Sequence, residues 1–399
     1  MRLAIGLHRR LLVVTFVESF ATILVERGLY FLTHDQLQFS DVLNLWLALM
    51  FGIAYTLGAL ASHAVTVRMG ERRLLLGALC GAMLTHVAMG LHPAGWMMFA
   101  GSMAIGAMSG LKWPVIESFV SAGLTPRQTA GAIGRFNFSW SSAVPLSLLV
   151  AGPLIANSAW ALFAVAAALN LVSLALSWPV PVRPVHLSDD HPERPPADQL
   201  RRLGKLLWAS RWLMLLSYGT MQILAALIPS IFTDLRVRVS ISAGLSGLLD
   251  ALRLAAFVVF GLWVGWHGRR TVLAVSLAAL PLSFAVILSG YSLPVVLAGE
   301  VVFGLASGAI YYAALYYAMV VKNASVEAGG VHEGLIGAGF AAGPAIMLLG
   351  RWAGPVLGGN LAGTAAVVAP VVLLCVAAAG VALVSAGKAT RLPPLPGPP

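Results

Sequence analysis

The stretch GSMAIGAMSG, from Gly101 to Gly110, has a counterpart in GEVVFGLASG, from Gly299 to Gly308, with its three glycines and its second serine at the same positions. Both copies hold small residues at the same spacing inside long apolar runs. The same offset of 198 residues relates Gly106 to Gly304, Ser109 to Ser307, Gly70 to Gly268, Arg72 to Arg270, and Ala130-Gly131 to Ala328-Gly329. One offset along the chain indicates two halves derived from one unit. Two related apolar halves with a substrate site between them are typical of secondary transporters.

The composition indicates a membrane protein. Apolar residues make up 59% of the 399 residues, charged residues make up 10%, and the mean hydropathy is +0.87. A soluble domain carries about 25% charged residues. The net charge of +10 does not indicate a nucleic-acid partner, because lysine and arginine are spread over short loops between apolar runs. The expected surrounding of this chain is a lipid bilayer.

The sequence contains no motif for catalysis or for a cofactor. It lacks the phosphate-binding loop, the His-Glu-x-x-His zinc motif, a Cys-x-x-Cys pair and the Gly-x-Ser-x-Gly motif of serine hydrolases. Cys80 and Cys375 are single thiols in separate apolar runs, which favours packing over a disulfide or a metal site. We therefore expect no catalytic residue, no cofactor and no metal ion, and a protein that is not an enzyme.

Twelve apolar stretches reach the roughly 20 residues that a spanning helix needs. They are 11–33, 42–63, 73–91, 95–120, 130–155, 158–178, 211–233, 241–265, 271–290, 293–321, 330–353 and 364–386. The predicted fold is an all-α membrane protein with twelve transmembrane helices in two pseudo-symmetric six-helix bundles. The expected domains are a bundle over 1–178, a cytoplasmic linker over 179–210, a second bundle over 211–390 and a disordered tail over 391–399. Leu200, Leu203 and Leu207 predict an amphipathic helix on the membrane surface within the linker.

The distribution of lysine and arginine predicts the orientation of the spans. With the N-terminus inside, one side collects most of these residues, whereas the other holds only Arg236, Arg238 and Arg351. Because basic loops stay in the cytoplasm, both termini are expected there. The apolar run after Arg10 has no cleavage site and is expected to remain as the first span. The predicted location is the cytoplasmic (inner) membrane, which the chain crosses many times.

Two loops carry a family motif. The segment GLWVGWHGRR, from Gly261 to Arg270, resembles the signature loop Gly-x-x-x-Asp-x-x-Gly-Arg-Arg/Lys of the major facilitator superfamily. The equivalent loop of the first half is HAVTVRMGERR, from His63 to Arg73, and Val67 and Gly265 replace the Asp in the two copies. The resemblance implies a twelve-helix secondary transporter.

Two helices also resemble the gate helices of that superfamily. They are GRFNFSWSSAVP, from Gly134 to Pro145, and HEGLIGAGFAAGP, from His332 to Pro344. Together with the loops, the resemblance implies gating roles for Arg68, Arg72, Arg135, Gly268, Arg269, Arg270 and Glu333.

Charged residues within the predicted spans are candidates for function, because a charge at the bilayer centre costs at least ~2.5–3.5 kcal/mol. In the first span, Glu18 and Glu26 share one polar helix face with Thr15, Thr22 and Tyr30. We interpret Glu26 or Glu18 as a proton carrier, and the alternative is structural pairing of Glu26 or Arg27 with another helix. In the eighth span, Asp250 and Arg253 are three residues apart and are expected to form an internal ion pair.

The candidates for a central substrate site are Lys112, Trp113, Arg253, Tyr312 and Tyr316. Because Lys112 lies near mid-membrane, it requires either a carboxylate partner or an anionic substrate. Tyr312 and Tyr316 share one helix face, and Trp46 and Trp140 are further aromatic candidates. Aromatic side chains beside a few polar groups suit sugars and amphiphilic organic molecules.

Together these features predict a secondary active transporter that moves a small organic solute by alternating access, with the proton as the candidate coupling ion. The expected partners are the solute, a coupling ion and the lipid bilayer, with no nucleic acid, and the expected state is a monomer. Two alternatives remain open. One is efflux of amphiphilic compounds, which more aromatic residues and fewer buried charges would favour. The other is a membrane sensor on a transporter fold that transports nothing.

Cysteine labelling tests the predicted orientation. In a variant without Cys80 and Cys375, single cysteines at Gly70, Gly268 and Leu200 should react with membrane-impermeant reagents only from the cytoplasmic side. A cysteine at Asn157 should react only from outside, since the chain crosses the bilayer between these positions. Labelling of Asn157 and Gly268 from the same side, or in the opposite sense, would contradict the orientation.

Overall fold

The computed structural model describes residues 2–121, 126–184, 197–322, 326–357 and 360–387. Within these residues the regular secondary structure is helical, with one short 3₁₀ turn at Val264–Trp266. The middle of the predicted linker and the predicted tail over 391–399 lie outside the described residues.

In the first half of the chain, the first long helix is interrupted and the later helices are continuous. Its helices are α1 (Arg2–Glu26), α2 (Gly28–Gln36), α3 (Asp41–Met69), α4 (Glu71–Leu91), α5 (Gly95–Ser121), α6 (Pro126–Asn157) and α7 (Ala159–Ser177). The interruption between α1 and α2 is limited to Arg27, whose N–H still donates to the Ile23 carbonyl at 3.0 Å. Together α1 and α2 contain the first predicted span.

The second half follows the same order of rods. Its helices are α8 (Ala197–Asp234), α9 (Val239–Leu262), α10 (Thr271–Leu288), α11 (Leu293–Lys322), α12 (Val326–Ala353) and α13 (Asn360–Ser385).

The predicted amphipathic helix of the linker is not a separate element. It forms the first turns of α8 and runs without a break into the next predicted span. Leu203 and Leu207 are buried in the helical core, and Arg202 Nη2 donates to the Gly268 carbonyl at 2.9 Å. The leucine face is therefore covered by protein.

The long apolar helices identify a multi-pass membrane protein. Among the described residues, 10 helices are long and apolar enough to cross a bilayer. Neither α1–α2 nor α5 is among them. These two rods carry Glu18, Glu26, Arg27, Lys112 and Glu117, which lower their hydropathy. Four of these charged residues are buried in the helical core: Glu18, Glu26, Arg27 and Lys112.

The repeated glycines lie where helices cross in contact, and the crossings repeat too. A Cβ added at Gly106 would lie 2.6 Å from the Phe51 carbonyl oxygen of α3. A Cβ at Gly304 would collide with the Leu249 carbonyl oxygen of α9. Phe51 and Leu249 are separated by the same 198 residues as the glycines themselves. Small residues let membrane helices approach to backbone contact.

The second pair of glycines repeats the same crossing one turn further along. A Cβ at Gly110 would collide with the Tyr55 carbonyl oxygen, and one at Gly308 would lie 2.8 Å from the Arg253 carbonyl oxygen. Tyr55 and Arg253 are again 198 residues apart. The packing of α5 on α3 is thus repeated by α11 on α9.

The two halves meet mainly along two helix pairs, α3 with α12 and α6 with α9, and we call the whole boundary between the halves the seam. A Cβ at Gly52 of α3 would collide with the Phe340 backbone of α12. A Cβ at Gly152 of α6 would lie 2.8 Å from the Ser240 carbonyl carbon of α9. At the end of the structure where α3 begins, which we call the Asp41 end, Arg351 pairs with Asp41 at 3.3 Å.

Replacing a crossing glycine tests this packing. Gly106→Ala should lower the thermal unfolding midpoint of the detergent-purified protein by several degrees, because its methyl group meets a backbone oxygen that cannot move aside. Gly77→Ala is the matched control, since no atom lies within 4 Å of a Cβ there. Alanine is favoured over glycine in a helix by about 1 kcal/mol, so this control should not be destabilised. Equal midpoints for the two variants would contradict the packing.

Candidate functional site

Lys112 has its countercharge within the first half of the chain. Its Nζ donates to Glu18 Oε2 at 2.8 Å and to Thr22 Oγ1 at 2.8 Å. The Lys112 side chain is 1% exposed and the Glu18 side chain is 0% exposed. Of the two alternatives raised by the sequence, a carboxylate partner or an anionic substrate, the structure shows the carboxylate partner. The polar face predicted for the first span supplies it.

Asn170 holds the Glu18 carboxylate, and His86 in turn holds Asn170. Asn170 Nδ2 of α7 donates to Glu18 Oε1 at 3.0 Å, and His86 Nδ1 of α4 lies 2.7 Å from Asn170 Oδ1. Since the amide nitrogen faces Glu18, the histidine is the donor in the second contact. Glu18 is therefore arranged as a fixed partner of Lys112, and a role for Glu18 as proton carrier stays a prediction that this geometry does not favour.

An ion pair crosses from one half to the other. Arg27 Nη1, at the break between α1 and α2, donates to Asp250 Oδ2 of α9 at 3.2 Å, and both side chains are buried. The expected internal pair of Asp250 with Arg253 is wrong, because Asp250 turns to Arg27 instead. Spacing on one helix permits a pair, but a cation from another helix competes for the carboxylate.

Arg253 is surrounded by aromatic rings, which we call the aromatic cage. Its guanidinium carbon lies 4.9, 5.1, 5.7 and 5.1 Å from the ring centroids of Trp140, Tyr218, Phe257 and Tyr311. Nη2 donates to the Tyr218 hydroxyl, whereas Nε has no hydrogen-bond partner within the described residues. A cation over ring faces is stabilised by the ring quadrupoles. No described carboxylate forms an ion pair with Arg253.

Two buried carboxyl groups have no strong partner. Glu26 is adjacent to Arg27 and also interacts electrostatically with Asp250 and Lys112, but it accepts no side-chain hydrogen bond from a described residue. Glu300 of α11 is fully buried, and neither of its carboxyl oxygens has a hydrogen-bond partner among the described residues. Both groups interact electrostatically with the Arg27–Asp250 pair. Neither group forms a salt bridge with a described residue, so both are free to bind a proton.

Glu333 joins the second half to the first. The Tyr55 hydroxyl of α3 donates to Glu333 Oε2, and Glu333 also hydrogen-bonds Glu117 of α5. A hydrogen bond between two carboxyl groups requires a proton on one of them. By contrast, the other predicted gate residue of this pair of helices, Arg135, donates through Nε to His8 Nε2 at 3.3 Å within the first half. The gating roles stay predictions.

The two loops with the family motif have the backbone shape that their glycines permit. Gly70 and Gly268 adopt φ values of +82° and +67°, which side-chain-bearing residues rarely adopt. Within the described residues the predicted gate arginines of these loops form no ion pair with a carboxylate; they are Arg68, Arg72, Arg269 and Arg270. The Arg72 guanidinium instead lies 5.8 Å from the Trp178 ring centroid.

Tyr312 and Tyr316 pack against the second of these loops. The buried Trp266 ring lies 5.8 Å from Tyr312 and 5.2 Å from Tyr316, centroid to centroid. His267 stacks on Tyr316 at 4.2 Å, and burial lowers the pKa of His267 to about 4, so its ring is neutral at pH 7. Both tyrosines therefore cluster at this loop, and their predicted role in substrate binding stays a prediction.

The three tryptophans proposed for the cavity differ in position, and Trp140 is the one that belongs to the aromatic cage. Trp46 is 42% exposed near the start of α3 and belongs to the outer surface of the described structure. The Trp113 ring lies 5.2 Å from Lys112 Nζ, so Trp113 accompanies the ion pair of the first half.

Reasoning from sequence alone assigned no role to Tyr218, Tyr311, Asn170, His86 and Glu300. Tyr311 could have been found from the repeat, since it lies 198 residues after Trp113, which is itself a candidate. Glu300 directly follows the repeated Gly299. Within the described residues, no group of three or more His, Cys, Asp or Glu side chains is placed to hold a metal ion.

Comparison with known proteins gives the family. The sequence model described as Major Facilitator Superfamily matches residues 11–250. A POT family transporter in complex with 5-aminolevulinic acid is 14% identical, with a TM-score of 0.72 over 96% of this chain and 97% of that one. A search of curated proteins finds no match.

Two further solved structures share the fold. A bacterial homologue of the human lysosomal transporter Spinster, inward-facing and unoccupied, is 16% identical, with a TM-score of 0.64 over 96% of this chain and 95% of that one. The nucleoside transporter NupG is 12% identical, with a TM-score of 0.65 over 95% of this chain and 98% of that one.

The Lys112–Glu18 pair can be tested by a double-mutant cycle. Lys112→Met should lower the thermal unfolding midpoint strongly, because it leaves Glu18 buried without its countercharge, a loss of ~3–5 kcal/mol. Adding Glu18→Gln should restore part of that loss. Arg351→Gln is the control, because its pair with Asp41 is partly exposed and such pairs contribute about 0–1 kcal/mol. Additive losses in the double variant would show that the pair is not coupled.

Proposed function

Because the chain belongs to the Major Facilitator Superfamily, we propose that it is a secondary active transporter that moves a small organic solute across the cytoplasmic membrane, coupled to protons. Its twelve spans form two six-helix bundles, over 1–178 and 197–390, joined by a cytoplasmic linker over 179–196, because residues 197–210 of the predicted linker belong to α8. Both termini lie in the cytoplasm, and the protein acts as a monomer. The repeated glycine crossings support two bundles of the same construction.

The position of the charges supports a site between the halves. Arg27 comes from the first half and Asp250 from the second, and they form a buried ion pair. The aromatic cage likewise takes Trp140 from α6 and its other rings from α8, α9 and α11. Transporters of repeated architecture bind their substrate near the bilayer midplane between the two repeats. Rocking of the halves then opens this site to one side at a time.

Charge compensation carries the proposal of proton coupling. Apart from histidines and tyrosines, the buried ionisable groups of the described spans comprise five carboxyl groups (Glu18, Glu26, Asp250, Glu300, Glu333) and three cations (Arg27, Lys112, Arg253). Salt bridges neutralise Glu18 and Asp250. A carboxyl group without countercharge in a low-dielectric interior becomes neutral by binding a proton. Glu333 lacks a countercharge too, but it shares a hydrogen bond with Glu117 that already holds a proton. Glu26 and Glu300 are therefore the proton-binding candidates outside that pair.

Proton binding at Glu26 affects the contact between the halves. When Glu26 carries a proton, Arg27 has Asp250 as its anionic partner across the seam. When Glu26 is ionised, its carboxylate competes with Asp250 for Arg27, because the residues are adjacent and all three interact. The competition weakens the Arg27–Asp250 link. A proton thus favours the arrangement in which these halves are joined, and its release favours their separation.

Neutralisation of Glu26 tests the coupling. A solute is first identified by the thermal stabilisation that it gives to the purified protein. In vesicles, Glu26→Gln should abolish accumulation of this solute driven by a pH gradient while leaving exchange of solute across the membrane, because glutamine cannot carry a proton.

The control for this experiment is Asp35→Asn, which removes an exposed carboxylate near the Asp41 end and should leave accumulation unchanged. Unaltered pH-driven accumulation in Glu26→Gln would remove Glu26 as the coupling acid. Loss of accumulation in Glu300→Gln alone would then assign coupling to Glu300.

A further inference from the structure

We propose that the transported solute is an organic monoanion whose carboxylate pairs with Arg253 and whose flat apolar body packs against the aromatic cage. This inference rests on the transport function proposed above and names the class of its substrate. It depends on the charge that the protein leaves uncompensated, on the donors that it leaves free, and on the helices that supply the cage.

The charge of Arg253 has no counter-anion in the described structure. The Arg253 side chain is 5% exposed, and the nearest carboxylate in sequence, Asp250, is bound to Arg27. Charged side chains inside membrane proteins pair with one another or mark a substrate pathway. The other two buried cations, Arg27 and Lys112, already have carboxylate partners. Arg253 is therefore the buried cation of the described spans that can accept an anion from outside the protein.

The guanidinium also retains unused donors. It carries five N–H groups, which match both oxygens of a carboxylate in a forked arrangement. Of these, one Nη2 hydrogen meets the Tyr218 hydroxyl and one on Nη1 faces the Met221 sulfur at 3.8 Å, a weak acceptor. Nε has no acceptor within the described residues. Ring faces offset part of the positive charge but do not accept these N–H groups as a carboxylate does.

The cage indicates what the rest of the solute looks like. Trp140 meets Phe257 at 5.6 Å and Tyr311 at 5.3 Å, edge to face, so flat rings already pack well among these side chains. Tyr218 and Tyr311 add hydroxyl groups to the apolar faces. A flat aromatic or similarly apolar body is the shape that such a lining favours.

The charge of the solute follows from the number of free cations. One unpaired guanidinium compensates one carboxylate. A dianion would require a second cation, and freeing Lys112 or Arg27 for it would leave Glu18 or Asp250 buried without a partner. Arg211 of α8, which acts on His332 together with Arg253, is only half-buried, so its charge is compensated in part by solvent. The site therefore favours monoanions over dianions of the same size.

The cage also connects binding to transport. Its rings come from α6 of the first half and from α8, α9 and α11 of the second, so a solute bound at Arg253 contacts both halves. Ligands shift a conformational equilibrium only when they bind its states unequally. A solute held between Arg253 and Trp140 meets this condition, because rocking of the halves changes the distance between these two side chains.

Matched pairs of probes test the inference on the purified full-length protein. Benzoate and phenylacetate are compared with the neutral benzamide and phenylacetamide, which have the same shape, and with phthalate as a dianion. The two monoanions should raise the thermal unfolding midpoint in a saturable manner, whereas the amides and phthalate should give much smaller shifts. The shift should vanish in Arg253→Gln and persist in Arg351→Gln, which removes a partly exposed cation at the Asp41 end.

A second variant covers the case in which Arg253→Gln fails to fold. Arg253→Lys keeps the positive charge but loses the forked donors, so it should bind benzoate or phenylacetate at least severalfold more weakly than the original protein. The inference is overturned if none of these monoanions shifts the midpoint, if the matched amides shift it equally, or if the shift is unchanged in Arg253→Gln or Arg253→Lys.

Flux measurements separate this inference from the transport function. If benzoate binding requires Arg253 but neither benzoate nor phenylacetate moves into vesicles, the anion site is upheld and transport of these anions is contradicted. If more benzamide than benzoate moves into vesicles, transport is upheld and the anion site is overturned.

Discussion

The close approach of helix backbones at glycine determines how this structure is assembled. Where Gly106 and Gly110 of α5 cross α3, and where Gly304 and Gly308 of α11 cross α9, there is no room for a side chain. Association of helices in a bilayer depends on such packing, because lipid is as apolar as the helices themselves. The crossings fix the rotation of α3 and α9 about their axes. That rotation decides which side chains of these helices reach the interior.

The interior that results contains compensated and uncompensated charges. Lys112 and Glu18 neutralise each other within the first half, and Arg27 and Asp250 do so across the seam. A fully paired charge contributes to the structure, but it does not require a countercharge from a ligand. Arg253, Glu26 and Glu300 remain without such partners among the described residues. The proposed binding of an anion and of protons follows from these three residues, because each gains stability by acquiring the charge that it lacks.

The repeat explains the construction of the protein, while departures from the repeat explain its chemistry. Tyr55 and Arg253 occupy equivalent positions at equivalent glycine crossings, and Arg135 and Glu333 occupy equivalent positions on α6 and α12. Tyr55 meets Glu333 across the seam, whereas Arg253 faces aromatic rings. The same backbone positions thus supply a hydroxyl in one half and a cation in the other. One asymmetric site results from two similar halves.

The sequence by itself determined the apolar helices, the repeat of 198 residues, the family motif of the loops and the presence of charges inside spans, because these depend on composition and spacing along one helix. Periodicity also placed Glu18 and Thr22 on the face that meets Lys112. Only the tertiary structure decided the partners. In the folded protein Asp250 pairs with Arg27 rather than with Arg253, and the amphipathic segment is part of α8. The reason is physical: spacing defines a face of one helix, but the choice among competing partners depends on how different helices are rotated against each other.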